Sequence, residues 1–383
     1  MAQHKLSSSD AKEAMRSFIQ RVATGPELSK DISFDEARDG MSYILDRKVD
    51  PVQAGVFLIA LRMKRETDDE NKGVLQAILD ATESAVAAVD EVLLVADPYD
   101  GYTRGLPASP FLPAVLAACG VPTVSHGVHS VGPKYGVTHG QVLSAAGVKV
   151  DLNPQQASAC ISDPDRGWAY IDQKAFCPKL HDLIELRTLI VKRPVITTTE
   201  VLVAPVRGAK KTHLVTGYVH KPYPRIYAML ARHAGFASAM LVRGVEGGVI
   251  PSLQQPSKLH YYHDDGELQS MSISPGDLSI SQPTRAVPIP QRLQQSKEQS
   301  DEIAAAIDAG ALAEAAAEAG LAALRGEAGP AYDSLVYGAA LCLFHLKRAP
   351  SLSVAAGTAR RAIATGAALT RLQAHTPRVS SPA

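Results

Sequence analysis

The sequence predicts an α/β protein: a small all-helical domain followed by a large α/β domain with a central, mostly parallel sheet. Three features carry that expectation. Residues 1–90 are patterned for helices. At Val92-Leu93-Leu94-Val95 the texture changes to a short continuous apolar run, the mark of a strand covered on both faces. Beyond it, strand-like and helix-like segments alternate, the rhythm of parallel βαβ units with right-handed crossovers.

The elements follow in order. The polar start of the chain contains one short helix. Ser33-Phe34-Asp35-Glu36 supplies an N-cap with its capping-box glutamate, and Ile44, Leu45 and Val49 mark the stripe behind it. Asp50-Pro51 restarts a helix with proline in its first turn, with Val56, Leu58, Ile59 and Leu61 on its buried face. A third helix is expected over Asp68–Val92. Strand Val92–Val95 leads to helix Pro113–Cys119 and strand Pro122–Val124, and Asn153–Lys192 reads as helical again. Further strands are expected at Val201–Val203, Leu214–Tyr218 and Ser238–Val242, with a helix at Arg225–Ala234 between the last two. Residues 251–300, rich in Pro, Ser and Gln, carry short strands as an edge meander or a ligand-access segment. Ala-rich helices fill Asp301–Leu324 and Ala331–Leu372. The expected division is a helical domain over 1–90 with 153–190 packed on it, an α/β domain over 91–152 and 191–373, and a tail over 374–383.

Composition narrows the function classes. Among 383 residues, 39 basic side chains balance 39 acidic ones, so no global field draws the chain to nucleic acid or membrane. The four cysteines form no CxxC pair and fit buried small side chains in a reducing compartment. The N-terminus has no apolar signal core, and no stretch approaches the ~20 apolar residues needed to span a bilayer. A cytoplasmic protein is expected.

SFDEARDGMSYILDRKVDPVQAGVFLIALRMKRETDDE, AACGVPTVSHGVHS and LRGEAGPAYDSLVYGAALCLFHLKRAPSLSVAAGTARRAIATGAALTRLQ occur in that order. They resemble the opening helices, a middle motif and the last helices of the anthranilate phosphoribosyltransferases of glycosyltransferase family 3. The resemblance covers roughly residues 30–373. It implies the fold of the nucleoside phosphorylase and anthranilate phosphoribosyltransferase class, and a homodimer through the helical domain. It also implies transfer of a phosphoribosyl group from phosphoribosyl pyrophosphate (PRPP), with Mg²⁺, onto an aromatic or carboxylate-bearing acceptor.

Such transfer sets simple demands. Pyrophosphate leaves with several negative charges while the sugar becomes cation-like. A site must therefore cradle phosphates with backbone N–H groups, neutralise them, and hold the nucleophile in line. The family's glycine-rich GTGGDG loop falls on Ala96 to Gly105. Asp100 and Gly101 match it, Ala96, Pro98 and Tyr99 replace glycines, and Thr103 and Arg104 follow. Ser109 matches the phosphate-facing serine of the next helix. The KHGN motif becomes Ser125-His126-Gly127-Val128: His126 and Gly127 match, the lysine and asparagine do not, and Lys134 is the candidate replacement charge. Arg187 falls at the arginine that holds the acceptor carboxylate, with Arg193 as a second arginine; a guanidinium suits that role by its two parallel charged hydrogen bonds.

The metal pair is missing. The family's Asp-Glu turn reads Arg243-Gly244-Val245-Glu246-Gly247-Gly248-Val249-Ile250 here. Val249 and Ile250 offer no oxygen to a hard cation, which leaves Glu246 as the sole carboxylate of the turn. His260, His263, Asp264 and Asp265 form a rival cluster on an expected edge hairpin.

PYDGYTR, GVPTVSHG, YVHKPYPRIY and RGVEGG also resemble an anthranilate-phosphoribosyltransferase-like paralogue branch that lacks the amino-acid-pathway activity and is associated with nucleic-acid binding. Lys192, Arg193, Arg207, Lys210, Lys211, Lys221 and Arg225 face only Glu200 in sequence, an excess of six positive charges that could follow a single- or double-stranded phosphate backbone. A divergent phosphoribosyltransferase is the leading reading. A sequence-nonspecific nucleic-acid-binding protein on the same fold is the alternative, and a non-catalytic ligand sensor the third.

Overall fold

The computed structural model describes residues 8–25, 27–294 and 308–376. Four helices open the chain: α1 (Ser8–Val22), α2 (Phe34–Leu45), α3 (Pro51–Lys64) and α4 (Asp68–Asp80). Ser33 with Glu36, and Thr67 with Glu70, form capping boxes at α2 and α4. Asp50 caps α3 ahead of its N-terminal proline. Met15, Met41, Phe57, Leu58, Leu61 and Leu75 close the bundle core.

The third expected helix stops early. Residues after Asp80 turn into β1 (Ala85–Ala87), because this segment pairs in parallel with β5 (Val206–Gly208). The main sheet has seven strands in the order β4-β3-β2-β6-β7-β8-β9. They are β2 (Glu91–Ala96), β3 (Thr123–Gly127), β4 (Trp168–Asp172), β6 (Lys211–Gly217), β7 (Ser238–Val242), β8 (Ser257–His263) and β9 (Gln269–Ile273). The first five run parallel; β8 and β9 add an antiparallel edge hairpin.

The continuous apolar run at β2 has the expected cause. Val92, Leu94 and Ala96 join the core shared with the helical bundle, whereas Leu93 and Val95 join the core on the opposite face. Helices α5 (Leu112–Ala118), α6 (His139–Ala145), α13 (Ala309–Leu324), α14 (Pro330–His345), α15 (Leu352–Ala364) and α16 (Ala367–Gln373) supply that opposite side. The expected helix over Asp301–Leu324 lies partly outside the described residues. α7 (Pro154–Ser162) and α12 (Tyr223–His233) pack on the bundle side of the sheet.

Three expectations change. Val201–Val203 is not a strand: α11 (Ile196–Thr199) runs into a 3-10 turn over Glu200–Leu202, and the strand of this region is β5. A short apolar run has no period by which to tell strand from buried turn. Trp168–Asp172, expected as helix, is the edge strand β4, buried from Trp168 to Ile171 and so without alternation. Within 153–190, α7 contacts β3, β4 and β1 rather than the bundle. Only the short helices α8 (Gln173–Phe176), α9 (Pro178–His181) and α10 (Ile184–Ile190) lead across to it, through Lys179–Asp46 at 2.7 Å, Arg47–Asp182 at 2.9 Å, and α10 against α3. Cys160, Cys177 and Cys342 are buried and Cys119 is half-buried, all as free thiols.

Candidate active-site cleft

A cleft of about 620 Å³ opens where the C-terminal ends of β2, β6 and β7 meet the bundle, the position at which open parallel sheets bind ligands. Pro98–Asp100, Thr103 and Arg104 come from the loop after β2, and Lys134 from the loop after β3. Arg193 comes from the α10–α11 connection, Thr198 from α11, Thr216 and Gly217 from β6, Glu246 from the turn after β7, and Arg62 from α3. A second cavity, of about 800 Å³, lies between the β8–β9 hairpin and the end of α14. It is larger but stands apart from these loops, so the cleft is the better candidate.

The loop after β2 is built on a buried carboxylate. Asp97 accepts from Tyr102 Oη at 2.7 Å, from His139 Nε2 at 2.7 Å, from the Val249 amide at 2.9 Å, and from Ser109 Oγ. Burial opposes its ionisation, but the His139 ring and the hydroxyl donors outweigh that and hold the carboxyl below its ordinary value. Gly101 takes φ +74, and a Cβ there would come within 2.5 Å of the Gly136 carbonyl oxygen. Only glycine lets this loop lie against residues 136–137, where Tyr102 and Val137 exchange both backbone hydrogen bonds.

At the cleft surface a second carboxylate organises the cations. Asp100 receives Arg193 Nη2 at 2.6 Å and Nε at 3.0 Å, and Lys134 Nζ lies 3.5 Å away. Lys134 also donates to the Gly101 carbonyl at 2.7 Å. Glu246 accepts from the Thr103 amide at 3.0 Å, the Thr103 hydroxyl at 3.3 Å and the Arg104 amide at 2.8 Å. The opposite wall is aromatic. Tyr218, Tyr223 and Tyr227 line it, Tyr223 and Tyr227 with ring centroids 5.5 Å apart, and the Arg62 guanidinium stands 5.7 Å over the Tyr223 ring.

The sequence candidates therefore separate. Asp100, Thr103, Arg104, Lys134, Arg193 and Glu246 converge on the cleft. Ser109 does not: it is buried, with its hydroxyl spent on Asp97 and His139. His126 is buried behind Tyr99, whose hydroxyl lies 2.6 Å from its Nδ1, and burial pushes its pKa down to about 3; Gly127 beside it packs near Tyr170. Arg187 is also turned inward. It makes two hydrogen bonds, 2.8 and 2.7 Å, to the buried Glu200, so its fork already holds a carboxylate of this chain. Sequence reasoning missed the aromatic wall and Arg62. The signal was available in YVHKPYPRIY, where Tyr223 and Tyr227 stand four residues apart on one helix face.

The residues do not fit the family's metal pair. Val249 and Ile250 occupy its place, Glu246 is engaged by backbone amides, and no group of three His, Cys, Asp or Glu among the described residues could hold an ion. The rival cluster disperses: His260 packs on Tyr218, His263 stacks on His345, and Asp264 pairs with Lys211.

Nor do the seven basic residues form one stripe. Lys210 pairs with Asp90 and Lys211 with Asp264 at the start of β6. Lys221 and Arg225 lie past its far end, Arg225 paired with Asp68, and Arg193 is held by Asp100. Arg207 is half-buried, donating to the Ala234 carbonyl at 2.7 Å, and burial lowers its pKa. Lys192 and Lys221 are exposed. The excess counted along the sequence is thus divided between two ends of a strand.

A helical bundle set against a mostly parallel sheet, with a cation-lined cleft between them, defines a transferase fold of the phosphoribosyltransferase type. Residues 16–82 match the glycosyl transferase family helical bundle domain, and residues 108–369 match the glycosyl transferase family α/β domain. The chain belongs to that family, as an anthranilate phosphoribosyltransferase-like member. It is 26% identical over 357 residues to an anthranilate phosphoribosyltransferase of Rhodopseudomonas palustris, covering 93% of this chain and 96% of the relative. Among solved structures it is similar to anthranilate phosphoribosyltransferase from Thermus thermophilus (TM-score 0.72, 19% identity, 95% and 98% of the two chains). It is also similar to the Saccharomyces cerevisiae enzyme in complex with PRPP and Mg (TM-score 0.72, 16% identity, 95% and 97%). No described helix is long and apolar enough to cross a membrane.

Proposed function

We propose that this protein binds a phosphosugar of the PRPP type in the cleft and transfers its pentosyl group to an aromatic acceptor. The observation that supports it is the convergence of Arg104, Lys134 and Arg193 with the Thr103 and Arg104 amides opposite a tyrosine wall. Cations and amides suit the phosphates, and the ring faces of Tyr218 and Tyr223 suit a flat acceptor. With Arg187 engaged inside the protein, an acceptor carboxylate would fall to Arg62 or Arg193 instead. The test is binding. PRPP, with and without Mg²⁺, should raise the melting temperature, and Lys134→Ala should abolish the rise. An unchanged melting temperature in saturating PRPP rejects the reading.

The same reading includes a homodimer through the helical domain. Val52 and Met63, about three turns apart on one face of α3, are each 72% exposed, and Leu189 of the neighbouring α10 is 74% exposed. Met63→Glu with Leu189→Glu should yield a monomer by light scattering; a wild-type chain that is already monomeric rejects the dimer.

A further inference from the structure

The amide-lined pocket of the loop after β2 already holds an anion, and the anion is part of the chain. Glu246 sits in a 3-10 turn with a left-handed backbone, φ 54 and ψ 18, a conformation that costs a non-glycine residue energy unless contacts hold it. Three contacts do: the Thr103 amide, the Thr103 hydroxyl and the Arg104 amide all donate to its carboxylate, while Lys134 Nζ stands 3.8 Å away. Two consecutive amides, a hydroxyl and an ammonium around one pair of oxygens are the donor set of a phosphate site. The Glu246 side chain is 7% exposed, so water does not share the site freely.

We propose that Glu246 is a specificity-determining residue that fills the phosphoryl subsite of the cleft and must be displaced by the ligand. The inference rests on the phosphosugar reading above and adds a charge threshold to it. Glu246 carries one negative charge and is tethered, so it competes at high effective concentration. A monoanionic ligand, such as a carboxylate, gains nothing over it. A phosphoryl group with two or more charges does, because Lys134 and the amides bind the larger charge more strongly. The site is thereby closed to carboxylates and open to phosphate esters and diphosphates. The cleft supplies somewhere for the displaced side chain to go: Glu246 borders open space shared with Gly247, Val219 and His220.

The experiment is a calorimetric titration of the full chain with inorganic pyrophosphate. Wild type is compared with Glu246→Gln, Glu246→Ala and the double variant Glu246→Ala/Lys134→Ala, with circular dichroism confirming that each is folded. Glu246→Ala is expected to bind pyrophosphate at least tenfold more tightly than wild type. Glu246→Gln, which keeps an oxygen for the amides but no charge, is expected to fall between them. Adding Lys134→Ala should remove most of the gain. Acetate should compete with pyrophosphate in Glu246→Ala and not in wild type. Folded Glu246→Ala and Glu246→Gln that bind no more tightly than wild type overturn the proposal and leave the phosphosugar reading standing. Silence from wild type and every variant, toward both pyrophosphate and PRPP, overturns both.

Discussion

Asp97 and Asp100 stand three residues apart on one loop and do opposite work. Asp97 is fully enclosed, with four donors closing on it: Tyr102 and Ser109 from its own connection, His139 from α6 and the Val249 amide from the turn after β7. Asp100 faces the cleft, where its partners Arg193 and Lys134 remain partly open to solvent. The first fixes where the loop lies, and the second sets how much positive charge the loop offers a ligand. A loop can therefore lose the glycines of its relatives and keep its place, provided a buried hub replaces backbone freedom as the source of its shape.

The sharpest way to break this contrast is to remove each centre. Asp97→Ala leaves two hydroxyls, an imidazole and an amide without their acceptor in a dry site, and each orphaned group costs about 1–3 kcal/mol. A loss of at least about 4 kcal/mol in urea denaturation is expected. Arg193→Ala, on the cleft side, should cost clearly less stability than Asp97→Ala while weakening PRPP by about tenfold, since the guanidinium is 43% exposed and Lys134 stays 3.5 Å from the buried Asp100. Equal losses of stability would erase the distinction.

Arg187 tests the same division from the bundle side. Its pair with Glu200 is buried at both ends, 1% and 0% exposed. Removing one member of such a pair strands the other, at about 3–5 kcal/mol. Arg187→Ala should therefore unfold the protein more readily, and Arg187→Met together with Glu200→Leu should recover most of the loss. If Arg187→Ala is instead as stable as wild type and weakens only the acceptor, the residue belongs to the cleft.

These cases show what the sequence could and could not reveal. The covered strand β2, the helix cap at Ser33, the helix restart at Asp50-Pro51 and the edge hairpin were legible because each rests on local chemistry: a continuous apolar run, a capping side chain, a proline in a first turn, a chain reversal. The side-chain roles of Ser109, His126 and Arg187 were not. A serine matching a phosphate ligand and a serine donating to Asp97 look the same until the chain brings His139 and Val249 to that carboxylate from 42 and 152 residues away. The partner of Arg187 was hidden for the same reason, because Glu200 meets it only after α11 and the 3-10 turn replace the expected strand. Lys134 and Arg193 were legible as charges. Their shared partner Asp100 was read as a loop match, not as the group that holds them.

A smaller effect separates the buried histidines from the cleft. Burial holds His126 and His345 down to about 3 and His375 to about 4, from 6.5. In the unfolded chain these rings bind protons that the fold refuses. The sign follows: stability is full above pH 6.5 and is withdrawn as pH falls toward 3, at about 1.4 kcal/mol per pH unit for each ring. His126→Gln should flatten the stability profile between pH 6 and pH 4 without altering PRPP affinity at pH 8. A variant that weakens PRPP at pH 8 while leaving the acid limb untouched would return His126 to the ligand.

The smallest expected effect concerns the two lysines that begin β6. Lys210 and Lys211 reach Asp90 and Asp264 at 2.9 and 2.8 Å, on exposed surface. Exposed pairs of this kind contribute little. They also sit at the amino end of a strand whose carboxyl end, Thr216 and Gly217, lines the cleft. Lys210→Glu with Lys211→Glu should shift the melting temperature by less than about 2 °C and leave both PRPP binding and its salt dependence unchanged. Lys192, Arg193 and Lys221, at the cleft end, are the positions where charge reversal should change the salt dependence. If reversal at Lys210 and Lys211 instead abolishes binding of single-stranded DNA by an otherwise intact protein, the basic excess acts as one surface, and the division between the two ends of β6 fails.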